Sequence, residues 1–415
     1  MSLNNTRLLP LKNKEFKLFL TTRVCLTIAL QIQAVIAGWH IYKLTQDPLS
    51  LGLIGLAEAI PALSIALYAG HVADISSKRK ILANSIWVLL FCSVGLTFAS
   101  SDLFVFGFSE SWSVNAMYLF IFLSGFARGF YAPAGFSFIV QLVKKEQLVT
   151  ASTLNSSAWQ MAAIIGPALG GLLYAWMGIT LTFLVVLLFI ILALVAMLQI
   201  KPKPISSKMG NESIADRLKV GLKFVFNNKV VLSAISLDLF AVLFGGAVAL
   251  LPVFANEILQ VGPQGLGFLR AAPSLGASIT MLWLSMRAPI QKPGIVLLIC
   301  VGAFGFCMIG FALSTSFYLS LLMLFLSGAF DSVSVIIRSN ILQLQTPDDM
   351  RGRVSAVNTM FIGSSNEIGA FESGLAARLL GTVPSVIFGG CMTLMVVGFT
   401  SIKAPQLKKF SYHKD

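Results

Sequence analysis

The sequence predicts an all-α membrane protein of twelve transmembrane helices arranged as two six-helix bundles. Three observations predict it. Hydrophobic residues fill 56% of the 415 positions and charged residues only 11%, too few charges to clothe a water-exposed surface. Twelve apolar runs reach the ~20 residues needed to cross a bilayer. The charges are also sorted: 24 of the 30 Lys and Arg lie in the segments on one side of these runs and two on the other. A soluble, disordered, secreted or collagenous chain is excluded.

The runs lie near 18–42, 51–70, 81–100, 115–139, 152–176, 179–199, 230–255, 265–286, 294–313, 316–340, 354–377 and 382–402. Backbone polar groups cannot stay unpaired in lipid, so runs of this length are read as helices. The first follows a basic leader and, at about 25 residues, exceeds the apolar core of a signal peptide; it is expected to remain as a span. Between the sixth and seventh runs lies the long polar segment 200–229, opening Lys201-Pro202-Lys203-Pro204. The expected domains are a bundle at 1–199, a cytoplasmic linker at 200–229 and a bundle at 230–415.

The net charge of +13 divides along the same lines. Both termini are placed in the cytoplasm, because basic loops stay inside. The cytoplasmic segments then hold 24 bases and eight acids, the external ones two bases and four acids, and the spans four bases and five acids. The basic excess labels orientation and predicts anionic lipid as the partner of the cytoplasmic loops. It leaves no compact basic surface for nucleic acid.

The five cysteines all fall inside apolar runs without a CxxC, which reads as buried free thiols. No nucleotide-binding loop is present. His40, His71 and His413 are scattered, so neither a metal site nor a Ser/His/Asp set is credible. No cofactor, no metal and no enzyme are expected.

The two halves repeat. Adding 203 maps 119–178 onto 322–381 without a gap. Leu123-Ser124-Gly125 falls on Leu326-Ser327-Gly328, Asn155 on Asn358, Gly166 on Gly369, Gly171 on Gly374 and Gly178 on Gly381. Such repeats mark secondary transporters. The mismatches carry charge. Arg128 falls on Asp331, Glu58 on Arg270 when Pro61 is matched to Pro273, and Arg23 on Asp238 when Pro48 is matched to Pro263.

Charges inside a membrane are costly and face a partner or a wet cavity. Glu58 is expected to pair with Arg128, and Arg270 with Asp331. Each pair is read either as a static strut or as a coupling element. Asp238, Glu367 and Glu372 complete the acids of the spans. Arg23 and Arg338 sit near the inner ends of theirs and are expected to snorkel. A carboxylate whose pKa rises when dry and falls when wet or beside an arginine is what proton coupling requires. Asp331, Glu58 and Asp238 qualify by depth, with Glu367 and Glu372 as second choices. Neutralising Asp331 or Glu58 should stop transport driven by a pH gradient. Aromatic and amide side chains near mid-span are candidates to line a solute cavity between the halves: Gln31, Gln33, Phe126, Phe130, Tyr131, Trp159, Gln160 and Phe240.

The loop after the second span reads Gly70-His71-Val72-Ala73-Asp74-Ile75-Ser76-Ser77-Lys78-Arg79-Lys80. It resembles the signature loop of the major facilitator superfamily, with Ile75 and Ser77 as departures. Gly70 is expected to let helices approach closely. Asp74 would cap a neighbouring helix and accept from Arg351 and Arg353, with Lys78 and Arg79 supplying the basic cluster. In the fifth span, Gly166-Pro167-Ala168-Leu169-Gly170-Gly171 resembles the core of that superfamily's exporter motif; the other reading is a packing kink. The stretch DSVSVIIRSNILQLQTPDDMRGR from Asp331, and SLDLFAVLFGGAVALLPVFANEIL from Ser236, are similar to the branch containing the enterobactin exporter and related bacterial drug-efflux proteins. The resemblance covers essentially the whole chain. It implies alternating access and outward transport of a small siderophore-like or drug-like solute, by a monomer in the bacterial inner membrane. Proton antiport is the expected drive, since ATP hydrolysis is excluded. A facilitative or uptake carrier, and a non-transporting sensor or scaffold, are the other readings.

Overall fold

The computed structural model describes residues 9–101, 109–204, 214–287, 290–347 and 350–410. Every one of the twelve apolar runs is helical there apart from one break in the seventh. Helix α1 spans Lys14–Thr45, α2 Pro48–Ile75, α3 Lys78–Ala99, α4 Glu110–Leu142 and α5 Leu148–Leu198. A linker helix, α6, spans Ile214–Asn227. The second half supplies α7 Lys229–Phe244, α8 Gly262–Ser285, α9 Pro293–Leu313, α10 Phe317–Gln345, α11 Arg351–Leu380 and α12 Thr382–Lys403. Among the described residues, nine helices are long and apolar enough on their own to cross a membrane. The other predicted spans are the second half of α5, α8 and α11. Helices α8 and α11 carry Arg270, Glu367 and Glu372, and these charges lower their hydropathy.

Side-chain chemistry sets the helix ends. Asn13 Oδ1 accepts from the Glu15 and Phe16 amides, at 2.9 and 3.4 Å, and Asn228 Oδ1 from Val230 and Val231, both at 3.1 Å. These are N-caps that satisfy orphan amides. Gly178, at φ 72°, breaks α5 in two, and Gly381, at φ 92°, separates α11 from α12. The two glycines are repeat mates, and both adopt conformations that strain any Cβ. Replacing either by Ala should cost about 1–2 kcal/mol. Thermal unfolding in detergent checks this, with Gly398→Ala, a site with nothing within 4 Å, as the helical control.

The seventh span departs from the expected unbroken helix. Helix α7 stops at Phe244, and Gly245-Gly246 lead into a 3-10 turn at Ala247–Leu250 and a π-helical turn at Phe254–Ile258. Consecutive glycines disfavour helix, and the freed carbonyl is satisfied locally. Ala241 O accepts from Gly245 N at 2.8 Å and from Thr393 Oγ1 at 3.4 Å. The linker also holds more order than its polar reading suggested. Val225 of α6 is fully buried with Val231, Ile235, Leu342, Val354 and Val357. A Cβ on Gly221 would stand 2.8 Å from Arg353 O, so α6 lies tightly on the start of α11. Its apolar residues recur every three to four positions between lysines, an amphipathic pattern.

The chain divides into two compact units, 1–44 with 57–210, and 45–56 with 211–415. In the first, Glu15 forms an ion pair with Lys203, and Thr22 Oγ1 donates to Ala193 O at 3.2 Å, tying α1 to the end of α5 and the linker. In the second, the opening turns of α2 lie against α11: a Cβ on Gly374 would fall 2.8 Å from the Gly52 backbone.

Candidate functional site

Helix crossings place the intramembrane charges. On α4, a Cβ at Gly125 would lie 2.5 Å from both Glu58 O and Pro61 Cγ of α2. On α10, a Cβ at Gly328 would strike the backbone of Pro273 on α8. Gly125 and Gly328 are repeat mates, as are Pro61 and Pro273, so one crossing is built twice. A second correspondence fixes the first and seventh spans. A Cβ on Gly166 would sit 3.3 Å from Ile28 O, and one on Gly369 2.8 Å from Leu243 O. Residues 28 and 243 differ by 215, the offset that places Arg23 on Asp238. Small residues permit such approach in membranes, where packing replaces the hydrophobic driving force.

At the first crossing Glu58 and Arg128 form an ion pair, with their side chains 20% and 32% exposed. The second crossing carries the opposite signs but not the expected pair. Arg270 interacts electrostatically with Glu367 on α11, and Asp331 makes no ion pair or hydrogen bond among the described residues. In the first unit Arg128 on α4 pairs across to α2; in the second the arginine sits on α8 and its charge is engaged from α11. Glu367 is thus Arg270's counter-ion, and Glu372, half-buried on α11, joins Asp331 as an acid without an ion pair among the described residues.

One arginine corrects the snorkelling expectation. Arg338, 4% exposed, forms an ion pair with Asp238, 6% exposed, joining α10 to α7. Both lie in the core, where a guanidinium needs a counter-charge rather than a path to water. The guanidinium carbon of Arg23 stands 6.0 Å from the Tyr131 ring centroid, and its Nε is buried without a hydrogen-bond partner. Neither pairing was visible from spacing alone, because the partners lie about a hundred residues apart.

In the signature loop, Gly70 has nothing within 4 Å of where a Cβ would stand among the described residues. Arg79 Nη2 donates to Leu198 O at 2.6 Å, a cation closing the C-terminus of α5. Lys78 is buried, Arg353 half-buried and Arg351 exposed. The Asp74 side chain lies outside the described residues. The exporter-like motif is a packing face: Gly166, Pro167, Gly170 and Gly171 are buried. A Cβ on Gly166 would fall 2.6 Å from Gln31 Cβ, and one on Gly170 3.1 Å from the Ile32 backbone.

The cavity candidates scatter. Gln33 is buried, and its Oε1 accepts from Ser93 Oγ at 2.6 Å, so its amide oxygen serves packing between α1 and α3. Gln31 meets Gly166, as above. Phe126 packs edge-on against Phe122, Phe130 against Tyr68, and Phe240 stacks on Phe244. Gln160 is half-buried. Trp159 and Phe240 are 42% and 41% exposed. Tyr131, beside Arg23, is the candidate that the structure brings together with an intramembrane charge.

A family model described as transmembrane secretion effector, within the major facilitator superfamily, matches residues 5–413. The chain belongs to this family. As a secretion effector it is a multi-pass membrane transporter, not an enzyme. It is similar to the enterobactin exporter EntS of Shigella boydii serotype 18, with 27% identity over 297 residues, 70% of this chain and 71% of that one. A longer match joins it to EntS of Shigella boydii serotype 4, at 25% over 369 residues, 87% of this chain and 85% of that one. Among solved structures, the nucleoside transporter NupG superposes with a TM-score of 0.75 at 14% identity, covering 94% of this chain and all of that one. A bacterial homologue of the human lysosomal transporter Spinster superposes with a TM-score of 0.68 at 12% identity, covering 97% and 99%. These likenesses show the fold: the secretion effector is an all-α transporter of the major facilitator type.

Proposed function

We propose that this secretion effector exports a small organic solute, siderophore-like or drug-like, in exchange for protons, by alternating access. The basic ends of the helices and both termini face the cytoplasm of a bacterial inner membrane, with the loops there on anionic lipid. The chain works as a monomer. The two structural repeats, 1–199 and 230–415, are its moving halves and 200–229 their linker.

The observation that carries the reading is Asp331. It is an acid within a span, without an ion pair among the described residues, one crossing from an arginine whose charge is engaged by Glu367. Such a carboxylate is stabilised by taking up a proton when dry and by losing it when wetted or approached by Arg270. Asp238–Arg338 ties α7 to α10, the helix that carries Asp331. The printed names of the EntS relatives favour export of a siderophore-like solute.

Counterflow in proteoliposomes, with siderophores and lipophilic dyes, with and without an imposed pH gradient, tests this. The expected result is exchange of a solute, with a gradient driving net accumulation. Exchange that no gradient can turn into accumulation identifies a facilitative carrier instead.

A further inference from the structure

The second unit neutralises Arg338 with Asp238, between α10 and α7. The repeat places Arg23 at the position of Asp238 and Gly135 at that of Arg338. These registers are fixed by contacts. Gly166 faces Ile28 O as Gly369 faces Leu243 O, and Gly125 meets Pro61 as Gly328 meets Pro273. The first unit therefore keeps a charge at this position and has a glycine where its partner would stand.

The surroundings fit a missing anion. A Cβ on Gly135 would make ordinary van der Waals contacts, with Leu82 Cδ2 at 3.8 Å and Tyr131 Cε1 at 3.9 Å. Tyr131 is 8% exposed. Its hydroxyl is engaged by the Arg23 side chain, and Arg23 Nε is buried without a hydrogen-bond partner. No described acid of the first unit is joined to Arg23 by an ion pair or hydrogen bond. On α1, Glu15 is held by Lys203; on α2, Glu58 by Arg128. Glu110 lies at the far end of α4, and α3 and α5 carry no acid. The other charged groups on α1, α3 and α4 are bases. Arg23 sits about 14 Å along α1 from Lys14, at 1.5 Å per residue, inside the span but near its basic end. Arg23 is half-buried with its Nε shut off from water, and a guanidinium inside a span is costly without a counter-charge.

We propose that Arg23 and the Tyr131 hydroxyl bind the carboxylate of an organic acid, beside Gly135. The inference rests on the transport reading and adds the solute's class: an organic anion, whose acid group docks in the first unit near the basic ends of the helices. A guanidinium fork matches a carboxylate with two parallel bonds. The phenol donates a third, and the ring keeps water away. A phospholipid phosphate would satisfy the same donors, so the test separates the two sources.

The test is equilibrium binding of salicylate, a simple aromatic carboxylate, to the purified full-length protein in neutral detergent. Saturable binding is expected in the wild type. Arg23→Gln should weaken it at least about tenfold, a factor worth ~1.4 kcal/mol; Arg23→Lys should weaken it less, and Tyr131→Phe several-fold. Gly135→Asp, which supplies the missing acid internally, should abolish it. Gel filtration shows whether each variant is folded, and Arg23→Gln carries the test if Gly135→Asp is not. Added phosphatidylglycerol should leave salicylate affinity unchanged. No saturable binding in the wild type, equal affinity in wild type and Arg23→Gln, or stoichiometric displacement by phosphatidylglycerol each overturns the proposal. Counterflow of an uncharged dye in the same preparations tests the transport reading separately: dye exchange without salicylate binding rejects the anion site and leaves that reading standing.

Discussion

Replacing Arg338 by Gln should destabilise the protein by about 3–5 kcal/mol, the usual cost of stranding one member of a buried ion pair. The partner left behind is Asp238, 6% exposed, with no other cation joined to it among the described residues. Asp238→Asn should cost a similar amount by stranding Arg338. The double change Asp238→Leu with Arg338→Met should recover most of the loss, because similar volume without charge removes the desolvation penalty on both sides. Thermal unfolding in detergent measures all three. A wild-type melting temperature for Arg338→Gln would mean that water reaches the pair. The Glu58–Arg128 pair gives the contrast. Its side chains are 20% and 32% exposed, so solvent screens it, and Arg128→Gln should cost only about 1 kcal/mol.

Asp331→Asn should abolish accumulation driven by a pH gradient while sparing counterflow. The substitution keeps the shape and removes the proton site, so the alternation of the bundles survives and only its link to protons is lost. At least a tenfold fall in gradient-driven accumulation, one decade or ~1.4 kcal/mol of lost coupling, is the expected scale. Glu367→Gln should act through Arg270. With its counter-ion gone, the guanidinium turns to Asp331 and holds it ionised, so coupling falls although the proton site is intact. The two variants are read in one assay of counterflow and gradient-driven uptake. Unchanged accumulation in Asp331→Asn removes this carboxylate from coupling.

Much of the fold was legible because a bilayer imposes a length on every element. The runs at 81–100 and 294–313 became helices at 78–99 and 293–313 for that reason alone. The break after Phe244 was harder to see, because hydropathy does not register that Gly245 and Gly246 lack side chains to support a helix. The repeat was also readable. Gly178 and Gly381 matched as letters and both turned out left-handed. The site was only half legible. Residue type marked which charges lie in the membrane, and the Glu58–Arg128 contact followed from the shared crossing. Arg270's partner, Glu367 on α11, depends on how α8 packs among its neighbours, which sequence does not carry. Arg338 was misread for a related reason: position near a helix end suggests access to water, whereas the packing of α7 on α10 closes it off. Gly135 carried no signal by itself and gained one only against Arg338.

The central claim is that a gradient of protons drives this secretion effector to move its solute out of the cytoplasm. Everted membrane vesicles, whose interior corresponds to the outside of the cell, test it most directly. With the vesicle interior acidified, a siderophore or dye that the protein exchanges in counterflow should accumulate inside, and an ionophore that dissipates the pH gradient should release it; Asp331→Asn vesicles should not accumulate it. Accumulation that persists without the gradient, or net movement of the solute out of acid-loaded vesicles, would contradict the claim.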